Sequence, residues 1–388
     1  HGTEKPSEHA GYTYMLYSFF GAALAFIGVM LVLSYGDGGA FTMGGVMTQA
    51  AAEHPTMVQL GYLCAFLGFG VKAAVFPFHA WLPEASVAPT PVTALLHAVA
   101  VVKSGVFAII RVTYFSFGAQ VLRGTMAQNI ALLLASATIV YGSTMAVKEH
   151  HFKRRLAYST VSNLSYIVLA ASLMTQSGLT ASLAHMLFHA LIKITLFFCA
   201  GAVMVKTGRT QIEDLRGLSK VMPFTCATYT IGAISLMGTP LLPGFVSKWL
   251  IGSAAIETGT AMGMVGVAAI LISAVLTAIY LMGPALSMYF RPLEGIGFRT
   301  VADHHGDFDG QVFFFDFVGH GLEIASPAAD QYPDFPFSHR KPRLSSRSFW
   351  CRAPHGPVRR RFPRFLSDEP GRRRLRKDPP PAPCQPPC

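Results

Sequence analysis

The chain has 388 residues, 52% of them hydrophobic, and a mean hydropathy of +0.42; with several apolar runs of about 18 residues or more, this excludes a soluble two-domain enzyme and indicates a polytopic membrane protein. The formal net charge of +11 invites a nucleic-acid reading until it is located. Residues 338–388 carry 14 Lys/Arg against 3 Asp/Glu and residues 1–337 carry 17 against 17, so the excess lies in the tail and the apolar body is balanced. The six cysteines form no C-x-x-C, so neither a disulfide framework nor an iron–sulfur site is indicated.

A polar lead-in of residues 1–11 begins at His1, and no charged segment with a cleavage site precedes the first apolar run. We expect an N-terminal part to be missing. Spans are predicted at about 12–35, 57–78, 91–117, 126–147, 156–174, 179–205, 222–249 and 260–290, an all-α domain over 12–290 with about eight transmembrane helices. Loop charge orients them. Lys148, Lys153, Arg154 and Arg155 follow the fourth span, Lys206, Arg209, Arg216 and Lys220 the sixth and Arg291 the eighth, whereas the opposite loops hold only Arg123. By the positive-inside rule the basic set faces the cytoplasm.

Two spans are predicted to be broken. The second runs into Lys72 and then four prolines, Pro77, Pro83, Pro89 and Pro91; these cannot continue a regular helix, and freed backbone groups at membrane depth have to be buried in protein or line a cavity. A plain loop with Trp81 as an interfacial anchor is the competing account. The third span carries His97 and, close to its centre, Lys103. The seventh is interrupted at Gly238, Pro240, Pro243 and Gly244, with Lys248 just beyond. A pair of Pro/Gly-interrupted spans points to a transporter of inverted repeats with an ion path near the midplane.

The sixth span has the densest polar content. His185, His189 and Lys193 lie one helical turn apart on a single face. A lysine at mid-membrane costs about 2.5–3.5 kcal/mol on insertion scales, so it belongs in a bundle interior or a water-filled path. The alternative is that the histidines are hydrogen-bonded packing residues and Lys193 snorkels to an interface. Zinc is a poor fit, because that face offers no carboxylate or thiol. Residues 291–337, with Asp303-His304-His305-Gly306-Asp307, read as a polar connector, and the Pro/Arg-rich 338–388 as a disordered or out-of-frame tail.

Four strings in order carry a family resemblance: Lys72-Ala-Ala-Val-Phe-Pro-Phe-His-Ala-Trp-Leu-Pro-Glu-Ala, Pro89-Thr-Pro-Val-Thr-Ala-Leu-Leu-His97, Lys153-Arg-Arg-Leu-Ala-Tyr-Ser-Thr-Val-Ser-Asn and His185-x3-His189-x3-Lys193. Over about residues 12–290 the chain resembles the proton-conducting antiporter-like subunits shared by respiratory complex I, membrane-bound hydrogenases and Mrp-type sodium/proton antiporters. The resemblance implies an inverted-repeat fold of about fourteen helices. The eight spans would be its sixth through thirteenth, the first repeat lacking its opening helices and the second complete. It also implies a proton path through Lys72, His97, Lys103, His185, His189, Lys193 and Lys248, with sodium as a second candidate ion.

Two departures stand out. The family's glutamate on the fifth helix would precede His1, and no final apolar helix is recognisable after Phe290. On these grounds the chain as written is not expected to transport by itself. The resemblance implies no redox cofactor or metal in this chain, with NADH, FMN, iron–sulfur clusters and quinone handled by partner subunits. It also implies a setting in a bacterial or archaeal cell membrane among other membrane subunits, without nucleic acid. Three functions compete: a subunit of a redox-driven pump, a subunit of a secondary cation/proton antiporter, and an inert assembly scaffold.

Overall fold

The computed structural model describes residues 5–38 and 41–292. The predicted tail and nearly all of the predicted connector lie outside the described residues. Among the latter the structure is helical: α1 (Lys5–Tyr35), α2 (Thr48–Glu53), α3 (Pro55–Lys72), α4 (Trp81–Glu84), α5 (Thr90–Ala94), α6 (Val101–Arg111), α7 (Ala119–Leu122), α8 (Met126–Lys148), α9 (Phe152–Ser172), α10 (Gln176–Thr207), α11 (Pro223–Met237), α12 (Pro243–Glu257) and α13 (Ala261–Phe290).

Helix lies at each of the eight predicted places, but only five of these helices are both long and apolar enough to cross a membrane, at Ser7–Tyr35, Thr90–Phe117, Met126–Lys148, Gln176–Thr207 and Ala261–Phe290. Two of the other three fall short for identifiable reasons. α11 and α12 are half-length, being two pieces of the broken seventh span. α9 is covered by protein along almost its whole length, which lets it carry Ser159, Thr160, Ser162, Asn163 and Ser165 fully buried.

Helix ends follow local chemistry. α8, α10 and α13 each start behind a threonine whose hydroxyl accepts a first-turn N–H: Thr125 from Gln128, Thr175 from Gly178 and Thr260 from Gly263. α10 stops at Gly208, which takes the left-handed conformation (φ +69°) that a Cβ would strain. In α13, Pro284 has no N–H to offer the Tyr280 carbonyl one turn back. The Arg155 guanidinium donates to that oxygen at 3.2 Å instead, and also to the carbonyls of Glu149 and Val147, so it ties α8, α9 and α13 together near the basic loops.

α1 packs along α3 through small residues: a Cβ added at Gly28 or Gly68 would run into the backbone of Ala65 or Ala25. Such close backbone approach is how helices associate where no water drives them together. α9 joins two apolar cores, one with Tyr62, Phe66, Trp81, Ile109 and Tyr166, the other with Phe152, Phe197, Tyr229 and Tyr280.

Candidate functional site

The first predicted break is real and tightly held. α3 ends at Lys72, and Ala74 takes a positive φ of 56°. The freed polar groups find partners inside the bundle, Phe76 N–H donating to Thr138 Oγ1 at 3.0 Å and Trp81 Nε1 donating to the Val71 carbonyl at 2.8 Å. Trp81 is buried, so the structure overturns the competing account of it as an interfacial anchor. Lys72 itself turns to α1, donating to Tyr14 Oη at 2.9 Å and Ser18 Oγ at 2.8 Å, with its ammonium 4.3 Å from the Tyr14 ring centre.

The third span differs from the continuous helix predicted. Leu95–Val99 is π-helical, Ala100 leaves helical geometry at φ −96°, ψ −82°, and α6 restarts at Val101. One extra residue in the turn therefore separates His97 from Lys103. His97 is completely buried, its ring 5.1 Å from that of Phe197 and neither ring nitrogen hydrogen-bonded to protein. Nothing at 95–100 marks this interruption, since the stretch holds neither Pro nor Gly.

Around α10 the remaining residues converge. His185, His189 and Lys193 are all buried on one face. Lys103 Nζ and His189 Nδ1 share a hydrogen bond of 2.8 Å, His185 Nδ1 shares one of 2.9 Å with Ser247 Oγ on α12, and the two imidazoles stack with centroids 6.0 Å apart. Lys193 Nζ donates to the Leu156 carbonyl at 2.8 Å and to Ser159 Oγ, both on α9. Lys248, the neighbour of Ser247, donates to the Leu236 and Met237 carbonyls at the end of α11, at 2.7 and 3.1 Å. The Nε2 atoms of His185 and His189 have no protein partner.

The structure thus brings Lys103, His189, His185, Lys193 and Lys248 into one buried cluster built on α6, α9, α10, α11 and α12. His97 adjoins it beside Phe197, which itself lies 5.8 Å from Lys193 Nζ. Lys72 stands apart with α1, although Gly105 lets α6 close on it, a Cβ at 105 falling 2.8 Å from Lys72 Cβ. Among the described residues no carboxylate forms an ion pair with these lysines; the pairs His150–Glu213 and Arg154–Glu149 lie in the basic loops. Hydroxyls, carbonyls and imidazoles do the holding. Sequence reasoning passed over Ser159, Ser247, Tyr166 and Tyr14. Only the first two left a trace, Ser159 inside the Lys153–Asn163 string and Ser247 next to Lys248.

Residues 1–277 match the family described as NADH:quinone oxidoreductase/Mrp antiporter, transmembrane. NADH-quinone oxidoreductase subunit N of Desulforudis audaxviator is 35% identical over 258 residues, 66% of this chain and 50% of that protein. A probable K(+)/H(+) antiporter protein of Rhizobium meliloti is 39% identical over 193 residues, 50% of this chain and 19% of the relative. Among solved structures, the archaeal membrane-bound sulfane sulfur reductase superposes with TM-score 0.66 at 32% identity, covering 75% of this chain and 58% of that one. The Mrp complex of Dietzia sp. gives 0.64 at 26%, covering 84% and 60%. The chain spans about half the length, or less, of the curated relatives it matches.

Proposed function

The chain belongs to the NADH:quinone oxidoreductase/Mrp antiporter transmembrane family, and from that membership we propose that it is a proton-translocating membrane subunit of a redox-driven pump of the complex I type. The observation that carries this reading is the carboxylate-free cluster in which Lys103 meets His189 at 2.8 Å. A lysine and an imidazole in direct contact can exchange a proton without separating charge. When Lys103 is an ammonium it donates to Nδ1 and the imidazole keeps its proton on Nε2; when the proton passes to Nδ1, Nε2 can release its own onward. The unpartnered Nε2 atoms are the faces available to a mobile water. Lys193 and Lys248, held by α9 and by the end of α11, extend the path on either side. His97 adjoins it, and Lys72 belongs to the corresponding site at the first break. Redox chemistry, with NADH, FMN, iron–sulfur clusters and quinone, belongs to partner subunits, and the basic loops face the cytoplasm.

A second reading, membership of an Mrp-type cation/proton antiporter without a redox partner, is favoured by the likeness to the Dietzia Mrp complex and to the Rhizobium antiporter protein. Co-purification with iron–sulfur proteins and quinone-driven proton uptake separate the first from the second.

The deciding experiment places Lys193→Ala and Lys248→Ala in the intact parent complex and measures proton uptake by inverted vesicles together with the amount of assembled complex. Uptake lost at normal assembly is the expected result. Wild-type uptake overturns the path, and reduced assembly with uptake per complex unchanged returns the scaffold reading.

A further inference from the structure

The end of α11 leaves four carbonyls without helical partners, and each can be traced. Gly238 N–H donates to the carbonyls of Ile234 and Ser235 at 3.3 and 3.2 Å, and Thr239 N–H to Ile234 at 3.4 Å. The carbonyls of Leu236 and Met237 are left over, and Lys248 Nζ, from the other half of the broken span, takes both at 2.7 and 3.1 Å. The same nitrogen lies 5.4 Å from the centre of the Tyr166 ring. Gly238, at φ +98°, leaves room for the lysine stem, since a Cβ there would stand 3.3 Å from Lys248 Cδ. The ammonium faces two carbonyl oxygens, the negative end of a helix and an aromatic face, all of which favour a cation.

We infer that this carbonyl end of α11 is a binding site for a small ammonium ion, which the Lys248 side chain fills as a tethered ligand. Two directed acceptors and a ring face suit an ion that carries N–H donors. An alkali ion has no donor to direct and would find only two oxygens. The inference deepens the role proposed for Lys248 and rests on that reading for its consequence. Loss of the Lys248 proton to the relay would remove the positive charge that closes the junction of α11 and α12, so proton release and loosening of the broken helix would be one event. Leu241, in that junction, is 99% exposed.

The test is the thermal unfolding of the full chain in detergent, wild type against Lys248→Ala, in methylammonium chloride or in sodium chloride at equal ionic strength. The alanine chain should show a saturable rise in Tm, about 2 °C at ten times the dissociation constant, with methylammonium alone. The wild type should not respond, and neither should Lys248→Met, whose stem refills the space without charge. Tetramethylammonium, lacking N–H, should also fail. No rise in the alanine chain, or an equal rise with sodium, overturns the inference. If that chain does not fold unaided, its folded yield on extraction is compared in the two salts: recovery in methylammonium only supports the site, and equal yields overturn it. Binding is read here without transport. An alanine chain insensitive to amine therefore refutes the site alone, and wild-type proton uptake by Lys248→Ala in the parent complex refutes the transport role alone.

Discussion

At the scale of single residues, Lys103 and His189 are an unequal pair. Removing one partner of a buried charge leaves the other uncompensated, at a typical cost of about 3–5 kcal/mol, whereas removing the charge itself relieves a desolvation penalty. His189→Leu should therefore destabilise the chain by about 3 kcal/mol, because the Lys103 ammonium loses the imidazole it contacts at 2.8 Å. Lys103→Met keeps the packed stem and strands only a neutral ring nitrogen, so it should cost clearly less, and the double variant should recover most of the loss. Denaturant unfolding of the three chains measures this order; a larger cost for Lys103→Met than for His189→Leu would refute it. Proton uptake by the parent complex should be lost in both single variants, which separates function from folding. The polar face of α10 is legible because 185, 189 and 193 fall at helical spacing within an apolar run. Its partners are not, because Lys103 and Ser247 reach it from 86 and 62 residues away in the chain.

At the scale of elements, the interrupted helices decide where the buried lysines stop. Each proline-rich break contains a non-glycine residue at positive φ, Ala74 at 56° in the first and Leu241 at 75° in the second, a conformation that packing on both sides has to impose. Gly244, at the start of α12, shows how close that packing is, since a Cβ there would collide with the Ser235 carbonyl of α11. Gly244→Ala should push the two half-helices apart and cost about 3 kcal/mol or more. Gly252→Ala, in the same helix with nothing within 4 Å of its Cβ, should instead be neutral or stabilise by about 0.5–1 kcal/mol. Thermal unfolding of the pair checks the contrast, and equal shifts would mean that the junction tolerates separation. Proline marks these two breaks in the sequence. The third, at Ala100, comes from a π-helical turn that propensity does not announce.

At the scale of the whole molecule, the basic loops are fastened to one another. Phe152 N–H donates to the Thr210 carbonyl at 2.9 Å and Ile212 N–H to the His150 carbonyl at 3.0 Å, joining the loop before α9 to the loop after α10. His151 sits in this junction, where burial first and the Lys153 ammonium second hold its pKa below the ordinary histidine value of 6.5. The unfolded chain thus binds a proton between that value and the lowered one that the folded chain refuses, and stability falls as pH drops through this window. Above about pH 7 neither state is protonated and His151 adds no pH dependence. Tm measured from pH 7.5 down to 5 should decline, and His151→Gln should flatten the decline; an unchanged slope would remove His151 from the account.

The sequence by itself determined the helical class, the places of the long apolar helices, the two proline breaks and the presence of buried lysines and histidines, because hydropathy, proline chemistry and helical period are local properties. Only the tertiary structure decided that Lys103 and His189 touch, that Lys193 rests on Ser159 and the Leu156 carbonyl, that Lys248 closes the end of α11, and that Lys72 turns instead to Tyr14 and Ser18. The physical reason is that a buried cation takes whichever acceptors distant helices leave unpaired, and which ones those are is fixed by packing and not by spacing along the chain.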